Sequence, residues 1–328
     1  MLPKVSIIIP VYNSSTYLDR CIDSLLNQSL HGLEVIFVND CSTDDSLNIL
    51  ERRRPDFAAD KFLVKIINMP ENRGSSAARN TGLAEVSAPY LGWVDSDDKI
   101  QPRMFEMLYH LMLNKETDLV LCDFDLVFRD SRKKISQQLN GGPEQYIVDL
   151  VSGRMQGMLW NKLFKASIFK ENRIKFLEGS NLGEDRNVLL KYLFYCKSLC
   201  YLSESLYEYF QENTGSITRD PKVARVYEEI NNTADIIDFF SKNNFKGLSL
   251  PEIQSYEFKT KRKLLNSTNL IDFKNWANIF KNSNNLIWKS NLPLSHKILA
   301  NAADLNIWFI IKSWIWIKKM KSGNIVSK

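Results

Sequence analysis

The sequence predicts an α/β fold, a doubly wound and mostly parallel sheet followed by a helical C-terminal extension. Three observations carry this. Short apolar runs rich in β-branched residues alternate with helix-spaced stretches through the first hundred residues. The first of those runs, Val5 to Val11, lacks the apolar–polar alternation of a half-exposed strand, so it reads as a strand buried on both faces. From Val223 onward the spacing is helical, with interruptions at Asn243-Asn244 and Pro251.

The elements follow in order. Val5-Ser6-Ile7-Ile8-Ile9-Pro10-Val11 reads as the first strand. Leu18, Cys21, Ile22, Leu25 and Leu26 then fall at helix spacing, with Ser14 or Ser15 as the expected N-cap. Leu33 to Val38 is a second strand, and a helix from about Asp44 to Arg53 follows it. Phe62 to Ile67 is a third strand, then an Ala-rich helix from about Ser75 to Val86, then a fourth strand, Tyr90 to Val94. Pro102 opens a further helix, and Leu119 to Cys122 reads as a strand. Residues 130 to 145, polar and containing Gly141-Gly142-Pro143, read as a loop. Leu206 to Gln211 reads as the last strand.

Composition narrows the class. The chain has 328 residues, of which 44% are hydrophobic and 25% charged, which excludes collagen-like and wholly disordered readings. The net charge of +5 hides an asymmetry: residues 241 to 328 hold 15 Lys and Arg against 4 Asp and Glu. Five of the seven Trp lie in that same stretch. A basic, Trp-rich end suggests an anionic membrane surface as partner, with an ordinary basic helical subdomain as the alternative. Five cysteines without C-x-x-C spacing and three scattered histidines point to free thiols and to no zinc site. Met1-Leu2-Pro3-Lys4 runs directly into the first strand, so no secretory leader and a cytoplasmic location are expected. No apolar run reaches 18 residues, so no spanning helix is expected.

In a doubly wound sheet, ligands bind beyond the carboxyl ends of the strands. Those ends carry Pro10-Val11-Tyr12-Asn13, Asn39-Asp40 and Asp95-Ser96-Asp97-Asp98. Carboxylates on either side of one residue suit a hard divalent cation such as Mg²⁺ or Mn²⁺; a solvated acidic turn is the plainer reading. No G-x-G-x-x-G follows the first strand and no G-x-x-x-x-G-K-[ST] occurs, which removes the main support for dinucleotide-dehydrogenase and P-loop readings.

Together, Val5 to Asn13, Val38-Asn39-Asp40-Cys41-Ser42-Thr43-Asp44, Asn72-Arg73-Gly74 through Gly82, and Asp95-Ser96-Asp97-Asp98 resemble, in order and spacing, the family 2 glycosyltransferases. The resemblance is strong from residue 4 to about 100, weaker to about 218, and absent beyond. It implies a GT-A fold with residues 1–100 as the half that binds the nucleotide-sugar and 101–220 as the acceptor half. Composition rather than the resemblance sets residues 221–328 apart as a basic helical region expected to associate with a membrane. The resemblance implies further that Asp40 accepts the N3–H of uracil, that Pro10, Tyr12 and Asn13 face base and ribose, and that Arg79 and Ser96 lie near the nucleotide. Asp95 is implied beside the ribose as the first D-x-D carboxylate and Asp97 as the direct metal ligand, for Mn²⁺ or Mg²⁺. Trp160-Asn161-Lys162 resembles a W-x-K element, with Lys162 meeting the diphosphate as a point charge and Trp160 lining the acceptor pocket. Glu184-Asp185 resembles the family's E-D motif, Glu184 toward the acceptor and Asp185 as the base.

Two departures stand out. Cys41 occupies the position of a usual glycine, and Phe210-Gln211 stands where many relatives have an arginine, with Arg219 as a substitute. The implied reaction is an inverting sugar transfer from a UDP-sugar to a glycan or lipid-linked hydroxyl, in bacterial surface polysaccharide synthesis at the inner face of the cytoplasmic membrane. No nucleic acid is expected. A metal-dependent nucleotidyltransferase and a non-catalytic sugar-nucleotide scaffold are the alternatives.

Overall fold

A computed structural model describes residues 2–58, 61–211 and 223–323. The chain divides into two compact units, Met1–Asp220 and Pro221–Lys328.

The first unit is organised by one sheet. Strands β1 (Val5–Val11), β2 (Leu33–Asn39), β3 (Phe62–Asn68) and β4 (Tyr90–Trp93) alternate with helices α1 (Leu18–Leu26), α2 (Ser46–Arg53) and α3 (Ser75–Ala84). They lie side by side in the order β3-β2-β1-β4, all parallel. β1 and β2 are buried almost throughout, as their unbroken apolar runs require. Short β5 (Lys99–Ile100) and α4 (Met104–Lys115) lead into β6 (Leu119–Val127) and β7 (Arg132–Ile135). Helix α5 (Pro143–Ser152), β8 (Lys162–Lys165), α6 (Ala166–Glu171), α7 (Glu184–Tyr195) and β9 (Leu199–Phe210) complete the unit.

Past β4 the sheet continues β8-β6-β9-β5, with β7 pairing the far end of β6 on the flank that β8 takes at its start. β8 runs antiparallel to both β4 and β6, and β5 antiparallel to β9, so the sheet is mixed on this side. The expected doubly wound, mostly parallel sheet is present. Two local expectations change. The stretch from 130 to 145 is not all loop, because Arg132–Ile135 pairs with Phe124–Val127 and α5 begins at Pro143. Neither Ser14 nor Ser15 caps α1: Ser14 instead accepts the amides of Tyr17 and Leu18 on its carbonyl, and the helix starts from Tyr17.

The second unit is helical. Its helices are α8 (Val223–Lys242), α9 (Leu250–Lys261), α10 (Leu270–Asn278), α11 (Leu294–Asp304) and α12 (Trp308–Gly323). Pro251 is no interruption; it sits in the first turn of α9, where its missing N–H costs nothing, behind a Ser249/Glu252 capping box. The core gathers Val226, Phe258, Phe273, Trp276, Leu299 and Ile311. The apolar stretch from Leu305 to Ile317 is not one helix. α11 ends at Asp304, Asn306 takes a φ of +59°, and α12 starts at Trp308.

Candidate active site

The parallel strands β1, β2 and β4 release the chain on one edge of the sheet. Beyond β1 and β2, two turns are laced together. Asn13 donates its amide to Ser42 Oγ (3.1 Å) and accepts the Thr43 amide on Oδ1 (2.8 Å). Asn13 (φ +48°) and Cys41 (φ +55°) are both left-handed. Cys41 therefore keeps the backbone shape for which glycine is the unstrained choice. Pro10 is half-buried, while Tyr12 and Asn13 are exposed at the mouth.

Asp40 is buried, and its carboxylate fastens the loop before α3: Oδ1 accepts the Arg73 amide at 2.8 Å and Oδ2 the Gly74 amide at 2.7 Å. Gly74 has a φ of +84°, and a Cβ there would come within 2.4 Å of Asn181 Oδ1. Each carboxylate oxygen carries a second lone pair, so Asp40 retains acceptor capacity while holding this loop.

The acidic residues after β4 meet α3 and the start of α7. The segment before α7 is tied to α3 through Asn80, which exchanges two hydrogen bonds with the Phe176 backbone (2.9 and 3.0 Å), and through Ser76, which donates to the Ser180 carbonyl. Gly183, at φ +84°, then turns Glu184 and Asp185 inward. Arg79, buried on α3, lies 3.0 Å from Glu184, 3.4 Å from Asp95 and 3.6 Å from Asp185. Against the burial that would lower it, Asp185, Asp95 and Glu184 hold the Arg79 pKa above its ordinary value. One guanidinium does not balance this much negative charge. Burial, partly offset by Arg79, pushes Asp95 up to about 7, with Asp97 and Asp185 adding to the rise. Burial and the neighbouring Asp185 push Glu184 up to about 7 against Arg79. Asp185 Oδ1 is buried without a hydrogen-bond partner.

The D-S-D-D turn is held by its own last residue, Asp98, and by two residues that the motifs did not single out, Tyr207 and Arg20. Asp98 is fully buried; it accepts the Tyr207 hydroxyl at 2.8 Å and the Phe210 amide at 2.9 Å. The Tyr207 hydroxyl in turn accepts the Asp95 amide at 3.1 Å. Arg20, on α1, donates to the Asp97 carbonyl and lies 3.5 Å from the Phe210 ring centroid. A cation thus reaches the phenylalanine that stands where relatives carry arginine. Nothing local in the sequence marks Arg20, because its contacts are 77 and 190 positions away. Ser96 shares a hydrogen bond of 2.7 Å with Ser14. Arg219 lies outside the described residues.

Two expected site residues turn inward. Trp160 is buried and stacked on Tyr207 (4.1 Å between centroids, 19° between planes), with Phe124 edge-on at 4.8 Å. It has no open face for an acceptor; its area is used in the core. Lys162 is fully buried, its ammonium donating to the Met158 carbonyl and to Asn161 Oδ1, each at 2.6 Å. Burial lowers its pKa to about 7. It is not an open point charge for a diphosphate.

Among the described residues no group of three or more His, Cys, Asp or Glu forms a ready-made metal cage. The donor set still suits a hard cation. Mg²⁺ and Mn²⁺ take oxygen ligands and, at phosphate sites, use one or two carboxylates together with the substrate. Excess carboxylate beside a single buried arginine matches that requirement.

The family model for glycosyl transferase family 2 matches residues 6–182. The chain is 35% identical over 214 residues to the EpsH protein of Bacillus subtilis, covering 63% of this chain and 60% of that one. It is 30% identical over 216 residues to the poly(ribitol-phosphate) beta-N-acetylglucosaminyltransferase TarP of Staphylococcus aureus, covering 64% and 62%. Matches of this kind span about three fifths of the relatives' own length. Among solved structures, residues 1–349 of S. aureus TarS in complex with UDP-GlcNAc align with a TM-score of 0.62 at 20% identity, covering 94% of this chain and 90% of that one. At that identity the likeness is one of fold, GT-A in kind.

Proposed function

The chain belongs to glycosyl transferase family 2, and from that premise we propose that it moves a sugar from a UDP-linked donor to a hydroxyl of a glycan or lipid-linked acceptor, with inversion. The observation that carries the proposal is the meeting of Asp95, Glu184 and Asp185 around Arg79 on the edge where the parallel strands end. Asp185 is the base: it takes the acceptor hydroxyl proton as the new C1–O bond forms and the bond from C1 to the diphosphate oxygen breaks, releasing UDP. Its Oδ1 makes no hydrogen bond and has only the Arg79 guanidinium 3.6 Å away. Asp97, with Asp95, would hold Mn²⁺ or Mg²⁺, which when bound offsets charge gathering on the departing diphosphate. Arg79 keeps the carboxylates of α7 and of the D-x-D turn on one centre. Asp40, at the ends of β1 and β2, receives uracil N3–H, with Pro10, Tyr12 and Asn13 around base and ribose. The UDP-GlcNAc complex of TarS and the TarP relative support a UDP-sugar and a surface-polymer acceptor. An acceptor carried on lipid would bring the enzyme to the inner face of a membrane.

The test is a panel of nucleotide sugars scored for nucleoside diphosphate release, with and without Mn²⁺ and with polyol-phosphate or lipid-linked acceptors. Metal-dependent release from a UDP-sugar, stimulated by an acceptor, is expected. Release only from guanosine or thymidine donors would overturn the base assignment, and pyrophosphate formation from a sugar phosphate and a nucleoside triphosphate would make the chain a nucleotidyltransferase.

A further inference from the structure

The last helix of the second unit has two apolar faces, and only one of them is used inside the fold. Ile311 and Ile315 are buried in the core of the unit, with Ile310, Trp308 and Trp314 packed beside them. Trp308 and Trp314, two tryptophans of the basic end, are therefore half-buried against the core. On the opposite side Phe309 is 71% exposed, Trp316 64% and Met320 51%. At 100° per residue these three fall within an arc of about 40°. Lys312 and Lys319, both exposed, flank this ridge on one side, and Ser313 and Ile317 flank it on the other. Neighbouring α11 adds an exposed line of Leu294 and Ile298, with Leu305 at its end. From residue 305 to 328 there is no Asp or Glu and there are five Lys.

We infer that the outward face of α12 docks on an anionic lipid surface, lying in its plane. An apolar ridge edged by lysines matches a surface where hydrocarbon lies just beneath negative headgroups. The Trp316 indole suits that boundary, having an apolar body and one N–H donor. Sixteen residues of helix span about 24 Å, less than a hydrocarbon core of about 30 Å, and no described helix is long and apolar enough to cross a membrane. A second copy is the poorer occupant, because two such faces would bring like charges together with no acidic residue between them.

The inference goes beyond the transfer reaction and is read without donor or acceptor, so either can fail while the other stands. Full chain is sedimented with vesicles of phosphatidylglycerol and phosphatidylcholine, and with phosphatidylcholine alone. Binding to the anionic vesicles that weakens with salt is expected. Phe309→Ser/Trp316→Ser should raise the lipid concentration for half-binding at least about tenfold. Lys312→Gln/Lys319→Gln leaves every core contact in place and should raise it about fivefold per lysine. An unchanged melting temperature and unchanged UDP binding exclude unfolding as the cause. No pelleting of the full chain, or binding by both double variants as tight as that of the wild type, overturns the proposal. So does a concentration-dependent dimer, seen by light scattering, that Phe309→Ser/Trp316→Ser dissolves while vesicles stay unbound; it would assign the face to a second copy.

Discussion

In the parallel half of the sheet, β3-β2-β1-β4, every strand ends on one edge, whereas in the half built from β8, β6, β9 and β5 two of the three neighbouring pairs run antiparallel. The difference governs where polar residues go. Asp40 and Asp95 follow strands whose carboxyl ends share an edge, so their positions in the chain lead to the crevice. Lys162 opens β8, which runs the other way beside β4, and its side chain turns into the interior. The two buried cations make the same contrast. Arg79 is ringed by carboxylates and stays charged, while Lys162 has one carbonyl and one amide oxygen and is pushed toward neutrality. A cation in a low-dielectric setting needs a compensating charge; Arg79 has carboxylates in contact, whereas the pull of Asp185 on Lys162 does not offset its burial.

This contrast can be broken by experiment. The largest effect is expected for Asp185→Asn, which should slow transfer by about a hundredfold to ten-thousandfold while UDP affinity is retained. Loss of UDP binding by calorimetry would instead make Asp185 a binding or folding residue. Asp97→Asn should cost about a hundredfold in turnover at saturating Mn²⁺, the scale of a lost charge-stabilising contact of a few kcal/mol; near-normal turnover would remove the metal assignment. Asp40→Ala should weaken UDP by about tenfold to a hundredfold. It should also lower the melting temperature, because the Arg73 and Gly74 amides lose their acceptor. An unaltered UDP titration would move base recognition elsewhere. Arg20→Ala frees the Asp97 carbonyl and should raise the Mn²⁺ concentration for half-activity by about tenfold, with the donor KM changing less.

The smallest catalytic effect is expected at Lys162, and it sharpens the comparison most. Lys162→Met should leave UDP affinity unchanged, since the ammonium faces Met158 and Asn161. Its mark should be on stability. The folded pKa of about 7 lies below the ordinary 10.5, so between those values the folded chain binds fewer protons than the unfolded one. Stability from this group is therefore full above 10.5 and is lost as pH falls toward 7, at up to about 1.4 kcal/mol per pH unit. Urea midpoints of wild type and Lys162→Met at pH 7 and 10 should show a steeper rise with pH in the wild type than in the variant, which keeps only the slope from buried groups such as Lys261. A weakened UDP titration in Lys162→Met would restore the diphosphate role.

By itself the sequence determined the parallel strands, the helices between them and the acidic turn after β4, because these are local patterns. Apolar runs flanked by turn residues encode buried strands, and right-handed crossovers leave little choice of edge. It also determined which charged residues exist to build a site. Tertiary structure alone decided how they pair. Arg79 and Glu184 stand 105 positions apart and meet because Asn80 and Ser76 bind the segment before α7. Tyr207 and Asp98, 109 apart, lock the D-S-D-D turn across the sheet. Direction within an element was equally beyond reach. Trp160 and Lys162 stand in a motif that suggests a pocket, yet packing against Tyr207 and Phe124 takes the ring and the carbonyl of Met158 takes the ammonium. The same limit applied to α12, whose apolar residues surround the helix in sequence. Only the core of the second unit, by burying Ile311 and Ile315, leaves Phe309, Trp316 and Met320 as its outward face. Local spacing fixes which side chains share a side of an element, but which side is buried depends on neighbours supplied by distant parts of the chain.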